Sequence, residues 1–242
     1  MIKLIYIIIL SYFLTGGLGF YFINRNKPSQ VARKSYTKFG VYFIIINILF
    51  FSIVINPVFF KYIAFVIIGG GMMELFFLHQ SAGYKYKGVF IISLLIFIAL
   101  SYGLFSFSRL NKDLILFSFL TLSIFDSFSQ ITGQLWGREK ILPKISPHKT
   151  WGGLIGGTLV ALFSAILLRN LFPGSLTELL IVATGIIAFA FSGDLAASWY
   201  KRKYHAKDFS NLIPGHGGLL DRFDSLLAGG AWVGLCALIL NI

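Results

Sequence analysis

Residues 198–224 read SWYKRKYHAKDFSNLIPGHGGLLDRFD. The stretch holds five basic residues, three aspartates, two histidines and a glycine-rich turn, with a strongly apolar run on each side. Charge inside hydrocarbon is costly, so an apolar chain keeps such a cluster at a bilayer surface when something polar binds there. Cations mixed with carboxylates suit a phosphorylated ligand held together with a divalent metal, because neither sign alone neutralises the whole.

Outward from this stretch the chain is greasy. Of its 242 residues 57% are hydrophobic and 12% charged, against about 25% charged in a soluble domain. Several windows of about 18 residues carry almost no charge, the pattern of spanning helices. Eight spans are predicted, at 2–23, 41–57, 59–79, 88–107, 114–136, 151–171, 177–199 and 219–241. Asn56-Pro57 separates the second from the third. The expected fold class is all-α: a polytopic integral membrane helix bundle forming a single domain over 1–242, with polar loops on one side. The first run lacks a polar leader and a small-x-small cleavage site, so it reads as a retained helix. The single cysteine, Cys236, excludes an intrachain disulfide.

The net charge of +12 is distributed unevenly. Of the 21 Lys and Arg residues, 16 fall in the odd-numbered loops or at the edge of the last span, and five on the opposite side. The positive-inside rule then places the odd-numbered loops in the cytoplasm and both termini outside. Short basic loops between helices suit anionic headgroups and phosphates and argue against nucleic acid as a partner. The expected location is a bacterial inner membrane, with the site facing the cytoplasm.

Glu74, Asp126 and Asp194 fall inside apolar spans, and Asp221 and Asp224 open the last one. Such acids normally face a polar cavity and have a partner. At 1.5 Å per residue, Asp126 and Asp194 lie about 18 and 10 Å from the next basic loop. Asp221 and Asp224 are three apart and share a helix face. Carboxylate oxygens are natural ligands for Mg²⁺, so Asp194, Asp221 and Asp126 are the metal candidates. The alternative for each acid is a basic partner that only ties helices together, and for Glu74 neither reading prevails.

In Pro214-Gly215-His216-Gly217-Gly218, glycines would let backbone N–H groups approach phosphate oxygens, ahead of a helix N-terminus. Lys201, Arg202, Lys207 and Arg222 frame this turn. His216 could bond a phosphate or act as an acid, or serve only as a local hydrogen-bonder. His79, His148 and His205 show no metal-ligand spacing. The fifth loop, 140–153, carries two prolines and the candidates Lys144, Ser146, Lys149 and Thr150. Ser146 and Thr150 could cap the next helix or, with Lys149, grip phosphates. Gly153, Gly156 and Gly157 read as close helix packing.

These residues resemble the phosphatidate cytidylyltransferase (CDP-diacylglycerol synthase) family. The family's signature corresponds to Ser198, Lys201-Arg202, Lys207-Asp208, Ser210, Ile213, Pro214, His216-Gly217-Gly218, Asp221-Arg222 and Asp224. Tyr200 departs from it, standing where the family has an aliphatic residue or Phe; the change reads as mild and interfacial. Upstream, Asp126, Gly133, Gly137, Lys140, Pro143-Lys144, Ser146-Pro147, Lys149-Thr150-Trp151 and Gly153 are similar to the preceding motif, with Phe128-Ser129-Gln130 as a departure. The resemblance is strong over 120–242, the expected catalytic half; over 1–110 it is mainly one of hydropathy, with Glu74 as a match that stays open.

The resemblance implies cytidylyl transfer from CTP to phosphatidate, with CTP, a lipid phosphate and membrane lipids as partners. It implies a metal centre at Asp194 and Asp221 with essential Mg²⁺; accompanying K⁺ stays open, as does a homodimer. Catalytic roles fall on Asp194, Asp221, Lys201, Arg202, Lys207, Asp208, His216, Arg222 and Asp224. Substrate contacts fall on Asp126, Lys144, Ser146, Lys149, Thr150, Ser198, Gly217 and Gly218. Two rival readings fit the same residues. One is another CTP-dependent membrane lipid enzyme, such as a polyprenol kinase. The other is a cation-coupled transporter.

Overall fold

The computed structural model describes residues 2–26, 28–215 and 217–240, without the side chains of 15, 16, 19, 20, 23, 31 and 34. Among the described residues eight α-helices follow one another: α1 (Ile2–Asn24), α2 (Ser29–Ile55), α3 (Pro57–Ser81), α4 (Lys87–Phe107), α5 (Lys112–Trp136), α6 (Trp151–Leu167), α7 (Leu176–Lys203) and α8 (Leu220–Leu240). Six, α2 to α5, α7 and α8, are long and apolar enough to cross a membrane; α6, at 17 residues, is a shorter apolar helix. The chain is an all-α integral membrane protein, as its hydropathy predicts.

Local sequence sets the boundaries. Asn56 accepts from Val58 N–H and Pro57 opens α3, a helix start that leaves no orphan donor at the proline. Asn111 caps α5 in the same way through Asp113 N–H. Ser175 and Glu178 form a reciprocal capping box at the start of α7. The helix α2 begins at Ser29, twelve residues before the expected start of its span, so Arg33 and Lys38 lie on a helix and not in a loop.

The last helix is the hub. A run of α8 from Phe223 to Ala231 is buried throughout, and small residues let its neighbours approach. A Cβ on Gly103 of α4 would lie 2.6 Å from Ala231 Cβ, and one on Gly193 of α7 would lie 2.5 Å from Ala228 Cβ. Without a hydrophobic force between helices in lipid, such close backbone packing is what holds them together. Gly153, Gly156 and Gly157 do the same between α6 and the Ser129–Thr132 turn of α5. Because α8 carries Asp221, Arg222 and Asp224, this packing fixes where those side chains stand.

The fifth loop is not irregular. It forms an antiparallel hairpin of β1 (Lys140–Leu142) and β2 (Ser146–Thr150), closed around Pro143 and Lys144. The two prolines fall in the turn and at a β2 position outside the two paired registers, where a missing N–H costs little.

Candidate active site

At the end of α7, Asp194, Ser198 and Lys201 recur at intervals of four and three, which puts them on one face. Ser198 donates to Asp194 Oδ1 at 3.3 Å. The other oxygen, Oδ2, lies 2.7 Å from Lys149 Nζ of β2, and the Asp194 side chain keeps 36% of its surface accessible. Lys149 also sits over the Phe191 ring, 4.3 Å from its centroid.

A second pair lies nearer the loop. Lys201 Nζ is 2.5 Å from Asp221 Oδ1, with side-chain exposures of 10% and 2%. Asp221 Oδ2 accepts from Phe209 N–H at 2.8 Å and Gly218 N–H at 2.7 Å. Asp221 therefore clasps the loop across its own helix start. The Lys201 ammonium lies 5.2 Å from the Phe209 ring centroid. Each carboxylate thus has a lysine for a counter-ion and each lysine an aromatic ring behind it.

Asp126 of α5 is enclosed by protein and yet keeps accessible surface, so it lines a cavity instead of packing in the core. It stands within electrostatic reach of Asp194, Lys149 and Arg222. Asp224, buried on α8, is within reach of Asp194, Lys201 and Asp126. Three carboxylates from three helices therefore face a shared region, bracketed by Lys149, Lys201 and Arg222. From the lipid side an apolar groove of about 130 Å³, walled by Ile92 and Ile96 of α4 and Ala197 and Trp199 of α7, runs in to Asp224.

The remaining candidates divide. Arg202 is exposed and donates to Ala206 O at 2.8 Å and Ile145 O at 3.3 Å, tying α7 to the hairpin. Lys144, Lys207, Asp208 and Arg222 are exposed. Ser146 is half-buried on β2, paired with Leu142. Thr150 caps α6 by accepting from Gly153 N–H at 3.1 Å. His216 lies outside the described residues. Tyr200 is buried, not interfacial: its hydroxyl donates to Leu75 O at 3.0 Å.

Gly217 and Gly218, the expected phosphate cradle, stand against carboxylates. Gly217 has φ +87°, and a Cβ there would meet Asp221 Oδ2 at 2.8 Å and Asp208 Cβ at 3.0 Å. A Cβ on Gly218 would collide with the Glu74 carboxylate. Both glycines make room for carboxylates.

Glu74 is the acid whose role the sequence leaves open. It is 6% exposed. Its Oε1 accepts from Ser210 Oγ at 2.6 Å and Leu219 N–H at 2.8 Å, and its Oε2 from Leu220 N–H at 2.7 Å. A carboxylate of α3 thus caps α8 from outside, the favourable placement of negative charge at a helix N-terminus. The signal in the sequence is an acid inside an apolar span with Gly70 and Gly71 one turn before it; those glycines receive Leu219 and Leu220.

The donor set of the cavity is oxygen-only, which suits a hard cation. Among the described residues no group of three or more His, Cys, Asp or Glu side chains stands close enough to share an ion. Mg²⁺ does not require one, since it commonly binds through one or two carboxylates with water and substrate phosphates completing its shell.

The cytidylyltransferase family model matches residues 105–240, from the end of α4 to the end of α8. The phosphatidate cytidylyltransferase of Rickettsia bellii is 35% identical over 187 residues, covering 72% of this chain and 77% of its own length. That of Rickettsia prowazekii is 37% identical over 181 residues, covering 69% and 76%. That of Haemophilus influenzae is 40% identical over 121 residues, covering 48% and 42%. The matched segment contains Asp126, the hairpin, Asp194 and the whole Ser198–Asp224 stretch, and on this ground the chain belongs to the cytidylyltransferase family, as one of its membrane-embedded enzymes.

Proposed function

We propose that this protein transfers the cytidylyl group of CTP to phosphatidate, giving CDP-diacylglycerol and pyrophosphate. The observation that carries the reading is the convergence of Asp126, Asp194 and Asp224 with Lys149, Lys201 and Arg222 beside a lipid-facing groove. A soluble nucleotide needs the charged cavity; an acyl chain needs the groove.

A phosphate monoester has a second pKa of about 6 and is already largely dianionic at pH 7. Its oxygen attacks the α-phosphorus of CTP without a strong protein base. A P–O bond forms there, the bond to the β-phosphate oxygen breaks, and pyrophosphate leaves. The chain must therefore supply position and charge neutralisation. Lys149 and Lys201 hold ammonium groups at the cavity wall, and Arg222 adds a planar donor fork suited to phosphate. Mg²⁺ at this site would neutralise phosphate charge in the transition state. Asp194 and Asp126, which both keep accessible surface, are the residues that would hold it. Asp221, paired with Lys201, would join them only with that ammonium displaced. The positive-inside bias supports the loop face as cytoplasmic, in a bacterial inner membrane.

The test is purified protein given CTP, phosphatidate and Mg²⁺. CDP-diacylglycerol and pyrophosphate are the expected products, and Asp194→Asn should lower kcat by about 10²-fold or more, as for loss of one preorganised electrostatic group. Release of CDP in place of pyrophosphate would make the enzyme a lipid kinase and overturn the reading.

A further inference from the structure

Gln30, Arg33, Thr37 and Lys38 of α2 face Gly215 of the glycine-rich turn across a cleft of about 480 Å³. The walls come close: a Cβ on Gly215, at φ +76°, would lie 3.2 Å from Lys38 Cγ and 3.7 Å from Thr37 Cγ2. Among the described residues that line it, both ionisable groups are cations and none is acidic. This sets the cleft apart from the Asp194 cavity, where each lysine is matched by a carboxylate. An anion can be held here without a metal. Thr37 already donates its hydroxyl to Arg33 O at 3.0 Å, so among the described residues the donors left to an anion are the Arg33 guanidinium, the Lys38 ammonium and the Gln30 amide.

Depth identifies the anion. The uncharged run of α2 begins at Phe39, directly after Lys38. Lys38 therefore borders the apolar part of the helix, and Arg33 lies five residues before it, about 8 Å along the axis at 1.5 Å per residue. Both cations therefore sit at headgroup level. One turn deeper than Lys38, Tyr42 stands within reach of Asp126, Ser127 and Arg222. One helix thus leads from the cleft towards the carboxylate cavity, and it lies outside the matched segment 105–240.

We propose that this cleft is the receiving site for the phosphate of the lipid substrate, held by Arg33 and Lys38 before it reaches the carboxylate cavity. The proposal rests on the reading of the enzyme as a lipid-phosphate cytidylyltransferase. A phosphomonoester carries about −1.5 to −2 charges near pH 7, which two cations match and the zwitterionic headgroup of phosphatidylcholine does not require. Free phosphate and the phosphates of CTP share that chemistry, so the experiment separates them.

Full-length Arg33→Gln/Lys38→Gln protein is compared with wild type and with Lys85→Gln, which removes a basic residue outside the cleft. The expected result is a KM for phosphatidate raised about tenfold or more, as for loss of charge-assisted phosphate contacts. The KM for CTP should stay within about twofold, with Lys85→Gln unchanged and Arg33→Lys partly restored. A raised KM for CTP with that for phosphatidate unaltered would assign the cleft to the nucleotide and overturn the proposal. An equal rise in Lys85→Gln, or no change in the double variant, would also overturn it. A second arm needs no turnover: native mass spectrometry counts phosphatidate and phosphatidylcholine retained by the purified protein. Wild type should retain phosphatidate selectively and the double variant should not. Displacement by millimolar inorganic phosphate would reassign the cleft to free phosphate. If wild type makes no CDP-diacylglycerol yet retains phosphatidate through Arg33 and Lys38, the enzyme reading fails and the site stands.

Discussion

At Glu74 one side chain satisfies three donors that lie 136 to 146 residues further along the chain. Removing it in Glu74→Ala leaves two backbone N–H groups at the start of α8 without a partner. At roughly 1–3 kcal/mol per buried unsatisfied group, the loss should exceed about 2 kcal/mol, read as a lower thermal midpoint in detergent. Turnover should fall as well, because Asp221, Arg222 and Asp224 lie on the helix that loses its cap. Lys201 and Asp221 allow a sharper measurement. Breaking a buried pair by removing one partner costs about 3–5 kcal/mol, while replacing both with apolar residues is often neutral. The double variant Lys201→Met/Asp221→Leu is therefore expected to be more stable than either single change, with activity lost in all three. A double variant less stable than both singles would remove the counter-ion account of this pair. What the sequence showed at this scale was the anomaly of each acid, not its partner. Asp221 was legible as part of the turn because its partners lie 3, 12 and 20 residues away. The partners of Glu74 come from the other end of the chain, and no spacing reveals them.

Among the elements, the hairpin and the glycine turn diverge most from expectation. A segment with two prolines and three lysines reads as a loop, yet β1 and β2 pair because each proline sits where its missing N–H is not needed. The cap at Thr150 followed from the local pattern of a hydroxyl before an apolar run, and Thr150→Val should cost about 1 kcal/mol of stability. Glycines were harder to assign. Close approach to phosphate and close approach to a carboxylate both demand a missing side chain, so Gly217 and Gly218 look alike under either reading. Gly218→Ala separates them. If the glycine only makes room for Glu74, the variant loses stability in the absence of CTP, comparably to Glu74→Ala, and adding alanine to a Glu74→Ala background costs little more. A wild-type midpoint with a raised KM for CTP would return Gly218 to the phosphates.

For the molecule as a whole, the spans were the most legible feature, because 20-odd apolar residues admit few alternatives to a membrane helix. Which helix occupies the centre was not. Hydropathy ranks α4 above α8, and only the small residues of α8 admit neighbours on several sides. Orientation is open to direct measurement, since the single cysteine, Cys236, is buried and gives a silent background. Lys144→Cys should react with a membrane-impermeant maleimide only in inverted vesicles, and Arg169→Cys only in right-side-out ones; the opposite pattern would invert the topology. The cap at Glu74 also has a consequence for biogenesis. The third helix enters the membrane long before the eighth is synthesised, so its carboxylate must wait, without the donors it will finally hold, until the last span arrives. A chain halted before Leu219 should therefore be a target for quality-control proteolysis, and supplying the missing C-terminal span as a separate polypeptide should rescue it.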